Sequence, residues 1–218
     1  MCGPGNNGEK QLQSYHSEQQ QPNKSPGGDG LVAARHLAHF GYTPSVYYPK
    51  QGKNELYQVR NPKHKKSFSK ANSTQRLKTQ LENLSVPFID DFQTALKSTD
   101  FLVDAIFGFS FGGALRDPFG EIVSQIEAAN VQVLSVDAPS SWDIQSGPPK
   151  EGPGAKFMPH ALISLSAPKP CVAFYRGRHF IGGRFLTKNL ADKYGLDLPK
   201  YQGVDQVLEI GVDAEGRL

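Results

Sequence analysis

Four places in the chain put polar side chains directly after an apolar run. They are Asn6 and Asn7 in CGPGNNG, Asp104 in FLVDAIF, Asp137 and Ser140 in VQVLSVDAPS, and Lys169 in ALISLSAPK. A strand that serves only structure needs one cap at its end, so this many polar ends point to a shared functional rim. Asn7, Asp104 and Ser140 offer oxygen and nothing softer. Oxygen donors suit hard cations rather than zinc, and one carboxylate with two neutral oxygens matches a monovalent ion better than a divalent one. The histidines share no ligand spacing; His36 and His39 lie on one predicted helix and are expected to face solvent.

Two glycine-rich loops accompany these groups. GPGNNG carries Gly3, Gly5 and Gly8 in the pattern G-x-G-x-x-G, which lets the backbone approach a phosphate or nucleotide. The next strand, read from VYYPK, ends without the Asp or Glu that would bind a ribose hydroxyl, so an ordinary dinucleotide oxidoreductase is not indicated. FGFSFGGALRDPF, residues 107–119, runs into a helix start; its amides either hold an anion or simply turn the chain.

The elements that must position these groups follow from periodicity. Leu31, Ala34, Leu37 and Ala38 mark one face of a helix over 31–40, with Asp29 as N-cap and Gly41 at its end. PSVYYP reads as a short strand, and residues 101–107, 131–136 and 161–165 read as apolar strands. DPFGEIVSQIEAAN reads as a helix with Phe119, Ile122, Val123 and Ile126 on one face and Asp117-Pro118 at N-cap and N1. Apolar strands separated by helices predict a parallel sheet covered on both faces, with ligands beyond the carboxyl ends of its strands. The expected organisation is one domain over 1–200 and a loosely packed tail over 201–218.

Composition narrows the class. Hydrophobic residues make up 38% of 218, low enough to suggest that part of the chain stands outside the core. Cys2 and Cys171 have no partner spacing, which fits a reducing intracellular compartment. No apolar run approaches a membrane span. Met1 stands directly before the first loop, an arrangement with no room for a signal or transit peptide. The net charge of +3 is local: residues 59–75 carry Arg60, Lys63, Lys65, Lys66 and Lys70 and no acid, which leaves about −2 elsewhere. The basic pI therefore does not indicate nucleic acid binding.

That basic run also interrupts a pattern. Without 59–75, Leu56, Leu77, Leu81 and Leu84 fall at relative positions 0, 4, 8 and 11 on one helical face; with it, Pro62 stops the helix. Without 9–27, the first loop reads CGPGNNGGDGLVAARHL, a tight turn feeding a helix. Both excisions restore a local rule. The genetic code also allows splice signals at both ends: GTAAGA for Val59-Arg60 and CAG for Gln75, GGTGAG for Gly8-Glu9 and CCAGG within Pro26-Gly27. The two runs therefore read as retained intervening sequence, with natural surface insertions as the alternative.

Taken in order, GPGNNG…GDGLVAARHL, VDAIFGFSF, DAPSSWD, ISLSAPK and GGRF resemble the NAD(P)H-hydrate epimerases, the YjeF N-terminal domain family. The resemblance covers residues 2–8, 29–58 and 76–200. It implies a Rossmann-like three-layer αβα sandwich with a mostly parallel sheet. It implies an isomerase that interconverts the R and S epimers of hydrated NADH and NADPH, so that a separate dehydratase can repair the S form. It implies a potassium ion at Asn7, Asp104 and Ser140. Substrate contacts are implied for Asn6, Asn7, Gly8, Gly28 and Asp29, for Gly108, Phe109, Ser110, Phe111, Gly112, Gly113 and Ala114, and for Asp137. Epimerisation at a hydrated ring carbon needs loss and return of a hydroxyl, for which Asp137 would serve as general acid and base. Lys169 would balance its charge, unless it is an ordinary surface lysine.

No nucleic acid or membrane partner is expected; a homodimer is, in the cytoplasm or alternatively the mitochondrion. A non-catalytic nucleotide-binding or protein-partner module of the same fold is the competing reading, favoured by the split glycine loop and opposed by Asp104, Asp137 and Ser140. The chain departs from the family pattern at both interruptions, and before Met1 it lacks the family's N-terminal helical segment and the body of its first strand. Poor folding or weak substrate binding is the expected consequence. Sequencing the transcript is expected to show a messenger joined from codon 8 to 28 and from 58 to 76. A messenger carrying both runs at full abundance would instead make them genuine insertions.

Overall fold

The computed structural model describes residues 28–49 and 71–211, which fall in two units, residues 1–92 and 93–218. In the first unit, helix α1 (Gly28–His39) is followed by strand β1 (Val46–Tyr47), helix α2 (Ala71–Asn83) and strand β2 (Phe88–Ile89). The expected apolar faces meet: Leu31 and Ala34 from α1 and Leu81 from α2 are buried with Val46 and Val86, and Ala38, Leu77 and Leu84 pack against them. The strands pair in parallel, Val46 beside Phe88 and Tyr47 beside Ile89. Gly41, at φ +87°, closes α1 in the left-handed conformation a side chain would resist, and the Tyr42 amide returns to the Leu37 carbonyl. His36 and His39 are exposed.

Two boundaries differ from expectation. Asp29 lies inside the first turn of α1 and does not precede it. Helix α2 starts at Ala71, so the last five residues of the expected interruption 59–75 form its opening turns. ANSTQ holds neither proline nor glycine, so nothing in it stops a helix from extending toward its N-terminus, and Thr79 Oγ1 donates back to the Gln75 carbonyl at 3.1 Å. Leu56, the rest of 59–75 and the whole of 9–27 lie outside the described residues.

After a short helix α3 (Phe92–Leu96), the second unit builds a five-stranded sheet from β3 (Phe101–Asp104), β4 (Gln132–Val136), β5 (Ala161–Leu165), β6 (Arg178–Gly182) and β7 (Val207–Ile210). The strands lie side by side in chain order; the first four are parallel and β7 is antiparallel to β6. This is the α/β class with the mostly parallel sheet that the sequence predicts. Helix α4 (Phe119–Ala128) buries Phe119, Ile122, Val123 and Ile126, the predicted face, but its N-cap is Pro118 with no side-chain cap bond, one residue later than expected. Helix α5 (Lys188–Tyr194) is capped by Thr187, whose hydroxyl accepts the Leu190 amide. Within 201–218, Val207–Ile210 does not hang loose: its period-2 pattern pairs with β6, and Arg178 grips Glu209 through two bonds of 2.8 and 2.9 Å.

Alternate residues of β3 to β6 point to one buried face, which carries Leu102, Val133, Leu162 and Ile181 and also Asp104, Ser135, Ser164 and His179. Around Leu162, the buried Ala138, Trp142, Cys171, Val172 and Tyr175 form a core cluster. Its polar edges are met: Trp142 Nε1 donates to the Phe157 carbonyl at 3.1 Å, and Tyr175 Oη to the carbonyls of Pro159 and Arg178 at 3.1 and 3.0 Å. Among the described residues, no helix is long and apolar enough to cross a membrane.

His179 is 1% exposed, with Nε2 2.9 Å from Ser164 Oγ. Burial, helped by the charge of Lys169, pushes its imidazole down to about 4. The unfolded chain therefore binds this proton more readily than the folded one between pH 6.5 and 4, so the stability is present above pH 6.5 and is lost as pH falls through that window. Chemical denaturation across this range is expected to lose on the order of 3 kcal/mol to this group. His179→Gln, which keeps a partner for Ser164 and cannot titrate, is expected to flatten the slope; an unchanged slope would assign the loss elsewhere.

Candidate active site

Strand β3 ends at Asp104, three residues short of the predicted run, and the Asp104 carboxylate is held by four hydrogen bonds. Its Oδ1 accepts the Ile106 amide at 3.4 Å and the Ser140 hydroxyl at 2.5 Å. Its Oδ2 accepts the Ser135 hydroxyl at 2.7 Å and the Ser140 amide at 2.9 Å. Asp104, Ser135 and Ser140 all have zero exposure. Burial pushes the Asp104 carboxyl above its ordinary value, against the pull of these hydrogen bonds. All these partners are neutral, and none of the ion pairs among the described residues involves Asp104.

Strands β4 and β5 end in the same turn. The residue after each strand, Asp137 or Ser166, has positive φ, 71° and 66°. Each keeps its amide on the neighbouring strand, at the Ile163 and Gly182 carbonyls respectively. The following amide, Ala138 or Ala167, folds back to the carbonyl of Val136 or Leu165. Left-handed backbone is uncommon outside glycine, although Asp tolerates it better than most, and such residues cluster at functional sites. The first turn presents the Asp137 carboxylate; the second leads to Lys169. Lys169 Nζ makes a short contact with Asp137 Oδ1 and donates to the carbonyls of Leu165 at 2.8 Å and Ala167 at 3.1 Å. The three donors of the ammonium thus have three acceptors. The side chains are 15% and 10% exposed, so this is a buried ion pair and Lys169 is not a surface lysine.

The loop after β3 is stitched to both carboxylate sites. The Phe107 amide donates to Ser140 Oγ at 3.2 Å, and the Phe109 amide to Asp137 Oδ2 at 2.8 Å. Gly108 lies between them, and a Cβ there would stand 2.8 Å from Asp137 Oδ2. The Phe107 ring meets Phe111 at 4.5 Å and Phe119 at 5.0 Å, which ties the loop to the start of α4. Beyond this anchor Ser110, Gly112, Gly113 and Ala114 are exposed, with open space around both glycines. The result is a held acid–base pair next to an open backbone rim, an arrangement suited to proton transfer on a bound small molecule.

Residues 23–171 match the family described as YjeF-related protein N-terminus. The chain belongs to that family. It is 66% identical over 218 residues to the NAD(P)H-hydrate epimerase of Aspergillus fumigatus, covering 100% of this chain and 76% of that protein. It is 58% identical over 217 residues to the NAD(P)H-hydrate epimerase of Ajellomyces capsulatus, again covering 100% and 76%. The crystal structure of yeast ynu0 superposes with a TM-score of 0.71 at 35% identity, covering 84% of this chain and 72% of that one.

Of the residues that the resemblance to this YjeF-related family implicates, the second unit brings together Asp104 with Ser140 and Asp137 with Gly108 and Phe109, and it adds Lys169, expected from its place after a strand, to Asp137. Gly28 and Asp29 sit in the first turn of α1, in the first unit. Asn6, Asn7 and Gly8 lie outside the described residues. Sequence reasoning missed Ser135, because only the register of β3 with β4 places it beside Asp104. Among the described residues no cluster of three or more His, Cys, Asp or Glu could hold a metal. Asp104 and Ser140 do fit a monovalent cation: the donor set is all oxygen with a single negative charge, and that charge is buried without a positive partner among the described residues.

Breaking the buried pair strands a charge. Lys169→Met is expected to cost about 3 kcal/mol in urea denaturation, and Asp137→Asn/Lys169→Met to recover part of the loss. A Lys169→Met protein within about 0.5 kcal/mol of the parent would show that the pair carries little energy.

Proposed function

We propose that the chain is an NAD(P)H-hydrate epimerase, an isomerase interconverting the R and S forms of hydrated NADH and NADPH. The observation that carries this reading is the Asp137–Lys169 pair, set on two matching strand-end turns beside the loop at Gly108, in a chain whose relatives bear that name. Exchange of configuration at the hydrated ring carbon needs its hydroxyl to leave and return on the opposite face. The ring nitrogen lone pair supports the departure. A proton held by the Asp137–Lys169 pair passes through the Asp137 carboxyl to the departing hydroxyl, so that it leaves as water. The resulting carboxylate takes a proton back from the water that adds to the other face. Proton count and charge are the same before and after, and no redox partner is consumed.

Lys169 holds the carboxylate at one orientation through Oδ1, while the Phe109 amide holds Oδ2. The exposed Ser110 and Gly112 to Ala114 offer backbone that can approach the substrate, and Gly108 leaves the Asp137 carboxylate room. Asp104 and Ser140, with Asn7, would hold potassium, which would supply the positive charge that the buried carboxylate lacks. Asn6, Gly8, Gly28 and Asp29 complete the proposed substrate contacts. Action alongside a separate dehydratase, as a homodimer, in the cytoplasm or the mitochondrion, belongs to the same reading.

The test follows equilibration of separated R and S hydrates of NADPH by chromatography. The chain is expected to accelerate it over the spontaneous rate. Asp137→Asn is expected to lower kcat by at least about a hundredfold, the scale of a lost general acid–base group. An Asp137→Asn protein that turns over at the parent rate would sink the assignment of Asp137.

A further inference from the structure

We propose that Ser135 is a positioning residue for the monovalent-cation site: together with the Ser140 amide it holds Asp104 Oδ2 and leaves Oδ1 as the oxygen that meets the cation. The inference rests on the potassium reading above.

Ser135 and Asp104 are register partners on adjacent parallel strands and share the buried face. The other inward residue of β4, Val133, is apolar, and the alternation calls for another apolar side chain at 135. A hydroxyl stands there instead, 2.7 Å from Oδ2, and the Ser140 amide completes that oxygen at 2.9 Å. Both lone pairs of Oδ2 are thereby engaged in bonds of ordinary length.

Oδ1 is held differently. The Ile106 amide is a long 3.4 Å away, and the only close donor is the Ser140 hydroxyl at 2.5 Å. That hydroxyl is a rotor, as is the Ser135 hydroxyl on Oδ2, but Oδ2 also has the fixed Ser140 amide. The Ser140 hydroxyl oxygen already accepts the Phe107 amide at 3.2 Å. Turning its hydrogen away from Oδ1 frees one lone pair on Oδ1 and points one from Ser140 Oγ in the same direction. Oδ2 keeps the Ser140 amide at 2.9 Å whichever way the two hydroxyls turn, whereas the fixed donor on Oδ1 is 3.4 Å away, so Oδ1 is the side that opens more easily. Ser135 decides which side that is, because without its hydroxyl one lone pair of Oδ2 is unmet and the carboxylate can rotate to seek another donor.

Potassium affinity of the full chain tests this, read from thermal unfolding at fixed pH and ionic strength, with choline chloride as balancing salt and no nucleotide present. The parent is expected to be stabilised by potassium in a saturable way. Ser135→Ala is expected to weaken potassium about tenfold or more, the scale of a lost outer-shell partner. Ser135→Thr, which restores the hydroxyl, is expected to return the affinity to within about twofold of the parent. Should the alanine variant fail to fold, Ser135→Cys, similar in size with a weak donor, is expected to show the same loss. A variant with lowered baseline stability but parental potassium affinity would make Ser135 merely structural and overturn the proposal. Absence of saturable potassium binding in the parent would overturn the cation reading and this inference with it, so the parent measurement tells the two failures apart.

Discussion

Placing a carboxylate beyond the reach of water costs several kcal/mol unless donors surround it, and Asp104 has no exposure at all. Much of the second unit can be understood as the answer to that cost. Strand β3 ends on this carboxylate, and the Ile106 amide lies 3.4 Å from it. Strand β4 carries a serine on its buried face, and the turn after β4 returns Ser140 to offer both amide and hydroxyl. Ser140 then binds the Phe107 amide, so the path of the glycine-rich loop is set by the same carboxylate. Even so, hydrogen bonds alone leave the Asp104 carboxyl raised by burial. A positive charge would relieve that, and among the described residues no side chain provides it.

The second carboxylate is built on opposite terms. Asp137 has its counter-charge in Lys169, which is held by two carbonyls from the turn after β5. Because β4 and β5 end in the same left-handed turn, their two loops leave the sheet in parallel, and residues 32 positions apart in sequence meet. The loop from Phe107 to Phe109 links the two sites, one amide to Ser140 and one to Asp137.

For an epimerase this division is chemically apt. Asp137 is held through both carboxylate oxygens and keeps a little exposure, so a bound molecule can meet it, whereas Asp104 is fully enclosed. Trp142 and Tyr175 are buried with their polar atoms paired to backbone, and they share a close-packed cluster with Ala138 of the turn after β4. The rim at Gly112 and Gly113 is the opposite, open and without neighbours, where a nucleotide can be met by backbone.

The sequence by itself determined which segments are strands and helices on the buried face. The inward positions 102, 133 and 162 and the α4 stripe follow from period 2 and period 3.6, which are local properties, whereas β6 with Ile181 was not read from the sequence. It also marked Asp104, Asp137, Ser140 and Lys169, because a polar residue ending an apolar run is visible without coordinates. Tertiary structure decided how those residues pair. Nothing in ALISLSAPK says that Lys169 turns back to Asp137, since this depends on two positive-φ residues and on the register of β4 with β5. Nothing local distinguishes Ser135 from a weak strand residue, since its value lies in a partner 31 positions away. The strand ends at 104 and 182 and the start of α2 at Ala71 likewise depend on side chains and neighbours that sequence windows do not contain. Periodicity is encoded in adjacent residues, whereas hydrogen-bond partners are chosen by whichever groups the completed sheet brings within 3 Å or so.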